Sequence, residues 1–97
     1  MQELLVVICS SSIEEEVTEE LMQAGMRYYT KIPGLHGVGK NSEPKLDSHV
    51  WPGTNTMILV VEADEKITRL IQVVKNLREK HREAGFWAFT MPVSLAL

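Results

Sequence analysis

Two runs of this chain, Leu4–Cys9 and Met57–Val61, are apolar at every consecutive position instead of every second one. A strand with one wet face alternates apolar and polar side chains, whereas a strand covered on both faces does not. Both runs are short, rich in β-branched residues and bounded by polar or turn-forming residues, which favours strand over buried helix. A chain of 97 residues carries little material with which to cover two faces of a sheet. Any fold assigned to it has to resolve that conflict.

The remaining elements follow from periodicity. Ser10-Ser11-Ser12 stops the first strand. Ser12 reads as an N-cap with Glu15 completing a capping box, and Glu14, Glu15 and Glu16 fall in the first turn, where the helix dipole favours them. Ile13, Val17, Leu21 and Ala24 form one apolar face, and Gly25 suits the position just past the helix end. Met26–Ile32 alternates and carries two tyrosines, so it reads as the second strand. The third spans Thr54 to Glu62. Asp64 caps a second helix with an apolar stripe of Ile67, Leu70, Ile71, Val74 and Leu77, extended by His81, and Gly85 ends it. Phe86–Met91 is the fourth strand, and Pro92 near its end marks it as an edge.

The order β-α-β-β-α-β predicts an α+β, ferredoxin-like sandwich: one antiparallel sheet with two helices on one face, in a single domain over 1–97. If Leu4, Val6 and Ile8 face the helices, Leu5 and Val7 face outward. An apolar face of that size is not expected on a soluble monomer, so it is expected to be buried against other copies of the chain in a cyclic homo-oligomer.

The bulk properties narrow the function classes. A net charge of −3 leaves no basic footprint for nucleic acid. The apolar runs are too short to span a membrane, and Met1–Ile8 lacks the positive region of a signal peptide, so a cytoplasmic protein without membrane insertion is expected. Cys9 is the one cysteine, which excludes an internal disulfide. The serines at 10, 11 and 12 have no histidine–carboxylate pairing readable from sequence, and no carboxylate pair sits inside an apolar run. The chain is read as a non-enzyme.

The chemistry concentrates in Pro33–Gly53, which holds four of six glycines and three of four prolines and forms a long polar excursion between strands two and three. Such a loop in a small domain is functional or disordered. Gly34-Leu-His-Gly-Val-Gly-Lys40 follows the P-loop spacing up to the lysine. The next residue is Asn41 in place of the Mg²⁺-holding Ser or Thr, however, and no helix follows. A looser anion site survives, with Gly37 and Gly39 bringing backbone N–H groups close and Lys40 adding a point charge. A simple chain-reversing turn accounts for the same glycines. His36 and His49 bracket the loop. With Cys9 they form a candidate set for a divalent metal such as Zn²⁺ or Cu, although the spacing matches no known ligand motif and two ordinary loop histidines account for it more readily.

Gly37-Val38-Gly39-Lys40 opening the excursion after strand two, together with the element order and length, resembles the PII superfamily of signalling proteins over nearly the whole chain. The position is similar to the start of that family's T-loop, usually worded Gly-Phe-Gly followed by polar residues. Met57–Glu62 followed by Asp64 resembles its third strand entering its second helix. The resemblance implies a homotrimer whose sheets line a central core, with an adenine nucleotide as effector in inter-subunit clefts. It assigns Gly37, Val38, Gly39 and Lys40 to effector binding. It also assigns a flexible loop over about 37–49, with Asn41, Ser42, Glu43, Lys45 and Asp47, to contact with a protein partner: a transporter, an enzyme or a regulator. The chain departs from the family in three respects. Glu79–Gly85 replaces a glycine- and lysine-rich B-loop with a segment that has one glycine and reads as mostly helix, no tyrosine lies between Gly37 and His49, and the loop is shorter. The CutA-type divalent-cation tolerance proteins share the fold, but their strand-two wording is absent. The alternative function is therefore heavy-metal handling through His36, His49 and Cys9.

Overall fold

The computed structural model describes residues 1–40, 43–50 and 52–97. The elements are β1 (Gln2–Ser10), a 3-10 turn (Ser11–Ile13), α1 (Glu14–Gln23), β2 (Thr30–Leu35), β3 (Asn55–Ala63), α2 (Asp64–Lys80) and β4 (Phe86–Val93). They form one sheet in the order β2-β3-β1-β4, every pair antiparallel. This is the expected ferredoxin-like arrangement, and β4 is an edge strand.

The core lies between the sheet and the helices. Leu5, Val7 and Cys9 of β1 and Ile58 and Val60 of β3 meet Val17 and Leu21 of α1 and Ile67, Leu70, Val74 and Leu77 of α2. Of the two parities open to β1, the structure adopts the one in which the odd-numbered side chains face the helices. Cys9, the last apolar residue before the serines, is fully buried as part of that odd set.

The opposite face carries cross-strand rows: Met91–Leu4–Val61, Phe89–Val6–Leu59 and Trp87–Ile8–Met57–Ile32. Val6, at the centre, is covered by its neighbours, but Trp87 is 62 % exposed, Met91 48 %, Ile32 40 % and Val61 39 %. The rings of Trp87 and Phe89 lie 4.8 Å apart. A packing role for Trp51 in this aromatic group falls outside the described residues.

Three local expectations are corrected. First, β2 begins at Thr30, not Met26. Gly25 takes φ 114°, Gly25 N–H donates to Met22 O and Met26 N–H to Leu21 O, both at 3.0 Å. This paired closure of the helix end pulls Met26 into the core (1 % exposed) beside Leu21. The alternating 26–29 segment is spent on leaving the helix, and β2 instead runs on through Pro33 and Gly34. Both are tolerated on an edge strand at the irregularity between Ile32 and Leu35. Second, the first cap is Ser10, not Ser12: the Ser10 hydroxyl accepts from Ser12 N–H at 3.4 Å and caps the 3-10 turn, so α1 starts at Glu14 with no capping box. Third, α2 starts at Asp64 after Ala63 and ends with His81 as its C-cap, four residues before Gly85.

Candidate effector site at the loop base

Four element ends converge at one end of the sheet: the end of β1, the start of β3, the end of β2 and the start of β4. The serines after β1 tie this end together. Ser10 N–H donates to Gly85 O at 2.9 Å, which fixes the α2–β4 turn, and Ser11 N–H donates to Thr54 O at 3.0 Å, which fixes the exit of the long loop. The Ser11 hydroxyl shares hydrogen bonds with those of Thr54 and Thr56, each at 2.9 Å.

The loop itself is pinched shut at its base. Gly37 N–H donates to Lys45 O and Lys45 N–H to Gly37 O, both at 2.7 Å, forming an isolated antiparallel bridge. Beyond the bridge, Asp47 N–H donates to Gly53 O at 3.0 Å, and Asp47 adopts a left-handed φ of 52°, a conformation Asp tolerates better than most residues. The Lys45 stem crosses Gly53 so closely that a Cβ there would lie 3.3 Å from it. The Lys45 ammonium reaches Glu43 O at 3.4 Å. Asn55 packs against the pinch, its side-chain amide 3.4 Å from where a Cβ of Gly37 would stand. Its Oδ1 is buried with no hydrogen-bond partner among the described residues.

The expected site residues therefore divide. Gly37 and Lys45 are joined directly. Val38, Gly39 and Lys40 lie in the exposed arc that the bridge closes, together with Glu43, and Asp47 follows the bridge, also exposed. Asn41 and Ser42 lie outside the described residues. His36 and His49 are exposed, whereas Cys9 is sealed in the core. Burial, with the Glu14 charge adding to it, pushes the Cys9 thiol up to about 11. Among the described residues no group of three or more His, Cys, Asp or Glu side chains is placed to hold a metal ion.

Sequence reasoning read Ser10–Ser12 only as a strand stop and a cap. Thr54 and Thr56 are two apart and so share a strand face, which was the available signal that hydroxyls would gather there.

A four-stranded ferredoxin-like sheet with both helices on one face, an apolar open face and a long pinched loop between the second and third strands defines the class of small α+β proteins with a loop carried on a rigid base. The model of the family "Nitrogen regulatory protein P-II" matches residues 2–96, and the chain belongs to that family. Solved structures share the fold. One from Thermus thermophilus, described as a PII-like signalling protein, is 23 % identical with a TM-score of 0.70, covering 95 % of this chain and 86 % of its own. CPII from Thiomonas intermedia K12, in a structure bound to ADP and bicarbonate, is 20 % identical with a TM-score of 0.72, covering 97 % of this chain and 89 % of its own. A functionally unknown protein from Pediococcus pentosaceus ATCC 25745 is 13 % identical with a TM-score of 0.70, covering 99 % and 95 %. No protein of curated function matches the sequence. Among the described residues no helix is long and apolar enough to cross a membrane.

Proposed function

We propose that this chain is a non-enzymatic, cytoplasmic regulatory protein that works as a homotrimer. The whole of 1–97 would act as one domain with the loop over about 37–49 as its signalling part. It binds an adenine nucleotide in the clefts between subunits. The backbone of Gly37, Val38 and Gly39 and the ammonium of Lys40 meet the anionic part, and the loop residues Asn41, Ser42, Glu43, Lys45 and Asp47 contact a protein partner. The observation that carries the reading is the pinched loop base on a P-II fold: the Gly37–Lys45 bridge holds the glycine–lysine arc at the open β2 edge, where a neighbouring copy can complete a cleft. CPII, of the same fold, has been seen with ADP and AMP, which supports a nucleotide as the effector class.

The test is native mass spectrometry of the untagged protein with ATP, ADP, AMP and Zn²⁺ added in turn. A trimer that takes up nucleotide, with affinity about tenfold weaker in Lys40→Ala, is expected from the loss of one charge-assisted contact. A trimer that ignores nucleotide but binds Zn²⁺ through His36 and His49 would replace this reading with metal handling.

A further inference from the structure

The outer side of α2 carries a feature that the loop-base site does not use. Ile71, Val74, Lys75 and Arg78 recur at helical spacing beside β4. With Leu5, Ala88, Phe89 and Thr90 they line a groove of about 200 Å³. Its floor is apolar, and Lys75, Arg78 and Thr90 supply its polar groups. Four of the ten Lys and Arg side chains are held in ion pairs among the described residues: Lys31 by Glu14, Lys66 by Glu62, Lys80 by Glu16 and Arg82 by Glu79. Lys75 and Arg78 have no ion-pair or hydrogen-bond partner among the described residues, and no carboxylate lines the groove. The second groove, between the two helices, differs in that its Lys80 is held by Glu16, with Glu20 alongside.

The groove opens on the free edge of β4, while Gly37–Lys40 leaves the free edge of β2. These are the two edges of the described sheet. A closed ring of copies with their open faces turned inward can bring the β4 edge of one beside the β2 edge of the next. In the α2–β4 turn the Arg82 cation is already paired with Glu79.

We propose that Lys75 and Arg78, with the Thr90 hydroxyl, bind the phosphates of the nucleotide from the side of the cleft opposite Lys40. This inference rests on the nucleotide reading above and names the residues that complete its site. The Arg78 guanidinium presents paired donors that match phosphate oxygens, and Lys75 adds a point charge.

The test is calorimetric titration of wild type and Lys75→Ala/Arg78→Ala with ADP, adenosine and pyrophosphate, with assembly checked by native mass spectrometry. ADP affinity about tenfold or more lower in the double variant, with adenosine unchanged, is the expected result. Amide resonances of Lys75, Arg78 and Thr90 that shift when pyrophosphate is added to wild type give the same answer without a substitution. ADP bound equally by both proteins, with those amides unmoved, overturns the inference and leaves the nucleotide reading standing. A wild type that takes pyrophosphate at these amides but no nucleotide overturns the nucleotide reading and keeps the groove as an anion site. Binding of neither ligand overturns both.

Discussion

At the scale of single residues, the fold is stitched by a few ionic contacts. Lys31 of β2 donates to Glu14 of α1 at 2.7 Å, and Thr18 donates to the same carboxylate at 2.9 Å. Lys31 is the main cause holding the Glu14 carboxyl below its ordinary range, with Thr18 contributing. A depressed carboxylate adds stability that is complete above its unfolded value, 4.5, and disappears as pH falls through the folded value. Lys31→Met keeps the apolar stem and removes the charge. It is expected to cost about 1 kcal/mol near neutral pH and markedly less at an acid pH low enough to protonate Glu14 in the folded protein. Urea unfolding at the two pH values checks this, and an equal loss at both would mean that the stem, not the charge, carries the effect. A parallel link joins the far end of α2 to α1. Glu16 accepts from Lys80 at 2.6 Å and meets His81 Nε2 at 3.1 Å, so the residue closing α2 is anchored to the start of α1.

At the scale of elements, the helices were legible from the sequence because 3.6-residue periodicity and acidic first turns are local signals, and α2 occupies its expected stripe. Strand two was not. The alternation in Met26–Ile32 is a true pattern, but the helix closure at Gly25 consumes its first four residues, and closure geometry is not written in alternation. The same closure gives a prediction. Gly25 sits at φ 114°, and a methyl added there would meet only the Lys66 stem, at 3.9 Å, so the penalty for a side chain is conformational, not steric. Gly25→Ala is expected to destabilise by about 1 kcal/mol or more, and Gly25→Asn by less, because Asn tolerates left-handed backbone. Denaturant midpoints of the two variants order them; equal midpoints would contradict the account. The loop base followed the same division. Gly37 and Lys40 stood out by composition, whereas the Gly37–Lys45 bridge, the Asn55 support and the Ser11–Thr54–Thr56 hydroxyls depend on segments far apart in the chain coming together.

At the scale of the whole molecule, consecutive apolar strands leave an apolar open face whichever parity the strand adopts. The odd-numbered residues of β1 face the helices, and the open face is apolar either way, because Leu4, Val6 and Ile8 are as apolar as Leu5 and Val7. The exposed rings and chains of Trp87, Met91, Ile32 and Val61 belong to a surface of three apolar cross-strand rows, with Thr30 the polar end of the middle row on β2. In the proposed trimer this surface is the shared core, so a charge there has to be buried without a partner. The cost of doing so is several kcal/mol for each copy. Leu59→Asp is therefore expected to abolish the trimer. Trp87→Ala, which removes apolar area without adding charge, should weaken it and shift dissociation to higher protein concentration. Leu77→Ala makes the control: it empties a site in the helix-side core, and is expected to lower the stability of the fold by about 2–5 kcal/mol without selectively dissociating the assembly. Sedimentation or native mass spectrometry across a concentration series distinguishes the three. A wild type that stays monomeric throughout, with Leu59→Asp indistinguishable from it, would show that this face is simply tolerated in water.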